Sequence, residues 1–128
     1  MRREQIQRYK KYLQDYYRHG SIKKLINLLK VEFRLLTNNP DMQGLFPYFL
    51  IIDISNSCNL HCPLCQMGLR RHIPRINRMT LQNYMELITP LNKYLFQVFL
   101  FNWSEPFLNR EIYDIIAFNT RNNIATSV

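Results

Sequence analysis

Three short apolar segments alternate with two segments of helical periodicity between residues 47 and 128, and this alternation restricts the fold more than any other feature. The apolar segments cover residues 47–54, 95–101 and 124–128. The first contains Tyr48-Phe49-Leu50-Ile51-Ile52, a run typical of a strand buried on both faces of a parallel sheet. Strands that alternate with helices in this order predict right-handed parallel crossovers. We therefore expect an α/β fold.

Capping residues indicate where the two intervening helices begin. Thr80 and Asn109 are the predicted N-caps, since a short polar side chain can accept a hydrogen bond from the first turn. The apolar faces that follow are Leu81, Tyr84, Met85 and Ile88 in the first helix, and Ile112, Ile115 and Ile116 in the second. These faces are expected to pack against the sheet.

Residues 1–39 are predicted to form a basic, amphipathic helical extension before the α/β region. One helix is expected over residues 4–17, and Ser21 is the predicted N-cap of another. In the second helix an apolar stripe lies opposite a basic face; the stripe is Ile22, Leu25, Ile26, Leu29, Phe33 and Leu36, and the basic residues are Lys23, Lys24, Lys30 and Arg34. The helix either packs against the α/β core or docks on a membrane surface or a partner.

Positive charge is concentrated in two stretches of the chain. Residues 1–34 hold ten Lys or Arg against three acids, and residues 66–78 add four arginines without an acid. Because no nucleic-acid-binding motif accompanies these stretches, we expect no nucleic-acid partner and interpret the charge mainly as solvated surface.

The sequence shows neither an export signal nor a membrane span. No apolar h-region follows the first residues, and the longest apolar run, residues 45–52, is far shorter than the ~20 residues that cross a bilayer. We therefore predict a cytoplasmic protein without a transmembrane segment.

All three cysteines lie within eight residues, at positions 58, 62 and 65. A clustered, odd set of cysteines without an export signal favours metal binding over disulfides. A zinc site with His61 as the fourth ligand is one alternative. Against it, His61 adjoins Cys62, and zinc ligands usually come as two separated pairs.

The spacing Cys58-x-x-x-Cys62-x-x-Cys65 resembles that of radical S-adenosylmethionine (radical SAM) enzymes. A second motif supports the resemblance: Asn102-Trp103-Ser104-Glu105-Pro106 is similar to the Gly-Gly-Glu-Pro stretch that follows the second barrel strand in that family. Ser104 and Glu105 match the last Gly and the Glu. The resemblance covers residues 44–128.

The resemblance implies a cofactor set and roles for particular residues. Cys58, Cys62 and Cys65 would bind three irons of a 4Fe-4S cluster and leave the fourth iron to S-adenosylmethionine. Glu105, with the backbone near Ser104, would hold the methionyl amino group, and Leu64 stands where the family has an aromatic residue beside the adenine. Reductive cleavage would then give a 5'-deoxyadenosyl radical that abstracts hydrogen from a substrate.

The resemblance also implies an architecture and partners. Residues 44–128 would be a truncated radical SAM core, the first half of a partial (βα) barrel, since a closed α/β barrel takes roughly 200 residues or more. Family members with this kind of opening often carry a C-terminal domain with extra iron-sulfur clusters, as in the SPASM type. A small-molecule or peptide substrate is expected, with a reductant such as flavodoxin or ferredoxin. The alternative is a non-catalytic module that binds a cluster or zinc and docks a partner.

Overall fold

One parallel sheet of three strands forms the centre of the molecule. The computed structural model describes residues 7, 10, 14, 17–39, 41, 43–69 and 75–128. Within them β1 (Phe49–Ile51), β2 (Gln97–Phe99) and β3 (Ala125–Ser127) are adjacent in chain order. Both strand pairs are parallel, with Val98 opposite Leu50 and Thr126. The predicted α/β fold is confirmed, although each strand is shorter than its apolar segment.

Besides the helical residues 7, 10, 14 and 17–19, three α-helices flank or precede the sheet within the described residues. They are α1 (Ile22–Leu36), α2 (Leu81–Ile88) and α3 (Ile112–Arg121), and a 3-10 helix covers Pro106–Leu108. Helix α2 connects β1 to β2, and α3 connects β2 to β3. None of these helices has both the length and the apolarity that crossing a bilayer requires. The helix predicted over residues 4–17 lies largely outside the described residues.

The predicted N-cap is confirmed for α2 but not for α3. Thr80 accepts a hydrogen bond from the Asn83 amide, as predicted. The prediction for Asn109 is wrong, because α3 begins at Ile112 and Glu111 stands at its N-cap. The buried Asn109 side chain instead donates to the carbonyls of Ile54 (2.8 Å) and Met79 (2.9 Å). Buried carbonyls need partners, so Asn109 joins separate segments, while its Oδ1 accepts from the Glu111 amide (3.0 Å) just before α3.

Helices α2 and α3 cover the same face of the sheet. The core between them comprises Ile54, Tyr84, Ile88, Leu95, Val98, Leu100, Ile112, Ile115, Phe118 and Ile124. Leu81, Met85 and Ile116 pack against its edge, so the predicted inward faces of both helices are confirmed. A parallel sheet with helices on one face is compatible with the wall of a barrel and with one half of a doubly wound sheet.

The other face of the sheet is open. Phe49 is 46% and Ile51 is 56% exposed. Phe99 meets Phe49 and Phe101 edge to face, with ring centroids 6.3 and 6.0 Å apart. The prediction that β1 is buried on both faces is therefore wrong: side chains alternate along a strand, and no described helix covers the odd-numbered positions.

Helix α1 packs through the face opposite its apolar stripe. Ser21 caps it as predicted, accepting from the Lys24 amide. Lys24 is buried, and its Nζ donates to the carbonyls of His19 (2.9 Å) and Asn123 (2.6 Å). Asn27 exchanges two hydrogen bonds with the Phe46 backbone. Burial lowers the pKa of Lys24 to about 8. The prediction that Lys24 lies on a solvated face is wrong, because its ammonium group is hydrogen-bonded to the carbonyls of His19 and Asn123.

A buried polar chain connects α2, α3 and β3. The Tyr84 hydroxyl donates to Asn119 Oδ1 (3.0 Å), and Asn119 Nδ2 donates to Thr126 Oγ1 (3.0 Å). Tyr84→Phe leaves the buried Asn119 oxygen without its donor, and we expect the free energy of unfolding to fall by about 1–3 kcal/mol. Urea unfolding measures this loss. The matched control is Tyr113→Phe, where the ring is 71% exposed; equal losses in both variants would contradict the assignment.

The difference in free energy of unfolding between wild type and Tyr84→Phe should depend on pH. Burial raises the pKa of Tyr84 from 10.0 to about 12. Between these values the folded chain holds a proton that the unfolded chain has lost, so wild-type stability falls as pH rises from 10 towards 12. Tyr84→Phe has no such proton. The advantage of the wild type over this variant should therefore shrink above pH 10, and a constant advantage would contradict the burial argument.

Candidate functional site

The three cysteines lie on a loop that leaves the carboxyl end of β1 and is closed at its neck. Ser55 and Arg78 form an isolated antiparallel bridge. Next to it the Met79 amide donates to the Ile54 carbonyl (2.9 Å). The cysteine loop, residues 57–77, therefore begins and ends at the rim where parallel strands end. Residues 70–74 of this loop lie outside the described residues.

The cysteines are accessible and form no disulfide. Cys58 and Cys65 are half-buried, and Cys62 is exposed. The described residues hold no group of three His, Cys, Asp or Glu side chains positioned to bind a metal ion. The donor set nevertheless fits an iron-sulfur cluster, since three accessible thiols share one short loop made of turns. Binding would require the thiols to converge, which couples metal binding to local folding.

Two other predicted residues lie on the same loop. Leu64, predicted as a cofactor-binding residue from its position next to Cys65, is 95% exposed. His61, the fourth ligand in the zinc alternative, is also exposed. Neither side chain is directed into the core of the protein.

Gly68 determines how the cysteine loop folds back on itself. A Cβ atom at Gly68 would lie 2.5 Å from the Cys62 carbonyl oxygen and 2.6 Å from the Cys62 nitrogen. Real side chains do not approach a backbone this closely, so any larger residue must displace Cys62. No residue larger than glycine therefore fits at position 68 unless the loop moves.

If the three cysteines bind iron, as the sequence predicts, Gly68→Ala should weaken that binding without unfolding the core. Overpacking costs about 1–3 kcal/mol, or roughly a tenfold loss of iron affinity if the strain is relieved by moving the loop. Iron content after anaerobic reconstitution measures this loss. Gly44→Ala is the matched control, since Gly44 has φ +71° but nothing within 4 Å of an added Cβ. Iron loss in both variants, or in neither, would contradict the steric argument.

The second motif lies beside the cysteine loop. The Glu105 amide donates to the Ser57 carbonyl (3.0 Å), one residue before the first cysteine. Cys65 Sγ lies 4.0 Å from the Trp103 carbonyl oxygen. Two segments about forty residues apart in the chain thus meet at the carboxyl ends of β1 and β2.

Asp53 organises the second motif and was not predicted as a site residue. Its Oδ1 accepts from the amides of Asn102 (3.0 Å) and Ser104 (3.2 Å) and from Ser104 Oγ (2.7 Å). The Trp103 amide points to both carboxylate oxygens, at 3.2 and 3.3 Å. Both donors of Ser104 are therefore engaged within the protein, and the carbonyl oxygen is its backbone group left for a cationic ligand.

Glu105 has a structural contact of its own. It stands at the N-cap of the 3-10 helix, and its Oε1 accepts from the Phe107 amide (3.2 Å). Pro106 occupies the first turn, where a missing amide hydrogen costs nothing. A carboxylate has two oxygens, so this cap leaves Oε2 to accept from a ligand ammonium.

A polar cleft of about 360 Å³ lies beside the neck of the cysteine loop. Asp53, Asn56, Arg78 and Asn83 contribute to its lining. Arg78 is held there because its Nε donates to the Leu108 carbonyl (2.7 Å). The cleft places polar groups next to both loops.

Asp53 and Gly68 were not predicted as site residues, and the sequence carried a signal for Asp53 alone. Asp53 is the first polar residue after the apolar run of β1, and the carboxyl end of a parallel strand is where site residues occur. Gly68 gave no comparable signal, because the close approach to Cys62 depends on the path of the loop.

Comparisons with protein-family models, with curated proteins and with solved structures find no match for this chain.

Proposed function

We propose that this chain carries the cofactor site of a radical SAM enzyme and binds a 4Fe-4S cluster and S-adenosylmethionine. The observation that carries the proposal is the meeting of the two motifs. The hydrogen bond from the Glu105 amide to the Ser57 carbonyl (3.0 Å) holds the Glu105 loop against the start of the cysteine loop. A cofactor bridging the thiols and the carboxylate needs this proximity.

Each proposed residue has a defined task. The thiolates of Cys58, Cys62 and Cys65 hold the cluster, and three thiolates leave one iron open. Glu105 Oε2 and the Ser104 carbonyl would accept from the methionyl amino group, and the contact with the Glu105 carboxylate would be a charge-assisted hydrogen bond. Asp53 acts as a positioning residue through the loop it anchors. When bound, the two cofactors supply the electron and the sulfonium whose cleavage yields a 5'-deoxyadenosyl radical.

The sheet is compatible with this proposal. Its three parallel strands follow chain order and carry α2 and α3 on one face, as in the wall of a barrel. The open face carries Phe49, Ile51 and Phe101. In the first half of a partial barrel this face would line the interior, where further strands and the substrate would cover it.

Metal analysis tests the proposal against the zinc alternative. The chain is reconstituted anaerobically with iron and sulfide in the presence of competing zinc. We expect about four irons and four sulfides per chain, as a 4Fe-4S cluster requires. One zinc per chain, without sulfide, would overturn the proposal and favour the non-catalytic zinc-binding module.

A further inference from the structure

Helix α1 carries an exposed apolar stripe on the side facing away from the core. Its exposed residues are Ile22 (72%), Ile26 (47%), Leu29 (59%), Phe33 (64%) and Leu36 (71%). These positions fall on one side of an α-helix, because residues three, four and seven apart share a face. The opposite side is buried through Lys24, Asn27, Leu28 and Val31. The stripe is therefore not needed to attach α1 to the protein.

Three lysines surround a cleft at the border of this stripe. The cleft has a volume of about 280 Å³ and is lined by Lys23, Ile26, Asn27, Lys30, Gly44, Lys93 and Tyr94. Lys23 and Lys30 come from α1, and Lys93 comes from the segment between α2 and β2. All three are exposed, and no acidic residue is among those lining the cleft. The cleft is thus a site of concentrated positive charge.

Acidic groups near α1 are engaged elsewhere. Glu32 is the one acid within α1, and it accepts a hydrogen bond from the Tyr48 hydroxyl (3.3 Å). Asp41 pairs with Arg34 at 3.5 Å. At 100° per residue Glu32 lies on the flank of the stripe opposite Lys23 and Lys30. The charge bordering the cleft side of the stripe is therefore positive.

We propose that the stripe and the lysine cleft together form a docking surface for an anionic phospholipid bilayer. Leu29, Phe33 and their neighbours would enter the boundary between headgroups and acyl chains, as in interfacial amphipathic helices. Lys23, Lys30 and Lys93 would contact lipid phosphates in the cleft. An exposed apolar stripe alone fits many partners; the cationic cleft at its border selects an anionic surface. This proposal is independent of the cysteine site.

Vesicle flotation of the full chain tests the surface. Wild type should bind vesicles of phosphatidylcholine mixed with phosphatidylglycerol and should bind pure phosphatidylcholine at least about tenfold more weakly. Leu29→Asn/Phe33→Asn should reduce binding to the mixed vesicles about tenfold or more. Its matched control is Leu87→Asn/Tyr113→Asn, which removes two exposed apolar residues from α2 and α3. The control should bind as wild type does.

Charge reversal tests the cleft separately. Lys30→Glu/Lys93→Glu should reduce binding about tenfold or more, and Arg110→Glu/Arg121→Glu, with the same change in net charge, should reduce it much less. Equal losses of vesicle binding in the two double variants would show that binding depends on net charge alone and would overturn the cleft assignment. Absence of wild-type binding to the mixed vesicles would overturn the proposal. So would a dimer in light scattering that Leu29→Asn/Phe33→Asn dissociates, since the stripe would then bind a second copy.

Discussion

Cys62→Ala should abolish the absorbance of the reconstituted chain at about 400 nm, which arises from thiolate ligation of iron. Cys62 is exposed at the turn of the cysteine loop, so the substitution removes a ligand without opening a cavity in the core. Two thiolates are too few to retain a 4Fe-4S cluster. Far-ultraviolet circular dichroism should remain that of the wild type.

Two substitutions serve as controls for this loss. His61→Ala should keep the absorbance, because the imidazole is not a ligand in the proposed site; in a Cys3His zinc site it would be required. Glu105→Ala should keep it as well, because in the proposed site Glu105 holds S-adenosylmethionine and is not a ligand of the cluster. Retained absorbance in Cys62→Ala would show that the ligand assignment is wrong, and lost metal in His61→Ala would favour zinc.

Asp53→Ala should lower both the stability of the protein and its affinity for S-adenosylmethionine. The carboxylate is half-buried and accepts from the amides of Asn102, Trp103 and Ser104 and from the Ser104 hydroxyl. Hydrogen bonds to a charged group contribute about 1.5–3 kcal/mol, and these act on one loop, so we expect the free energy of unfolding to fall by about 2–4 kcal/mol. Binding of S-adenosylmethionine should weaken by at least about tenfold, because the same loop carries Glu105.

The affinity of the reconstituted chain for S-adenosylmethionine separates positioning from general damage. Asp53→Asn retains one acceptor oxygen and should recover part of both losses. Asp114→Ala removes an exposed acid from the first turn of α3 and should leave binding unchanged. If Asp53→Ala binds S-adenosylmethionine as tightly as wild type does, Asp53 does not position the Glu105 loop.

Local sequence patterns predicted the strands and helices, whereas contacts between distant parts of the chain determined which side chains cap or are buried. The three apolar segments contain the three strands, and Thr80 and Ser21 cap helices as expected, because a cap depends on residues within one turn. Asn109 could not be assigned from its neighbours alone. Its amide is taken by the carbonyls of Ile54 and Met79, which come from distant parts of the chain.

The face of α1 that is buried could not be read from periodicity. An apolar stripe ordinarily indicates the buried face. In this protein the backbone carbonyls of His19, Phe46 and Asn123 lie where α1 docks, and Lys24 and Asn27 satisfy them. Periodicity shows which residues are apolar, whereas the docking face of α1 depends on which carbonyls at the contact need donors.

The candidate site was predictable in part. The cysteine motif and the Glu105 motif could be located in the sequence, and their neighbouring positions on one rim follow from parallel strands. The hydrogen bonds that connect the two loops could not be predicted. They depend on the carbonyl of Ser57 and the carboxylate of Asp53, two groups without a motif of their own.

Release of 5'-deoxyadenosine tests the central claim most directly. The reconstituted chain is mixed anaerobically with dithionite and S-adenosylmethionine, and the nucleoside and methionine are quantified. The account predicts that both products form in equal amounts with wild type, are reduced in Glu105→Ala and are absent in Cys62→Ala. A fully loaded wild-type cluster that binds S-adenosylmethionine and releases no 5'-deoxyadenosine would contradict it.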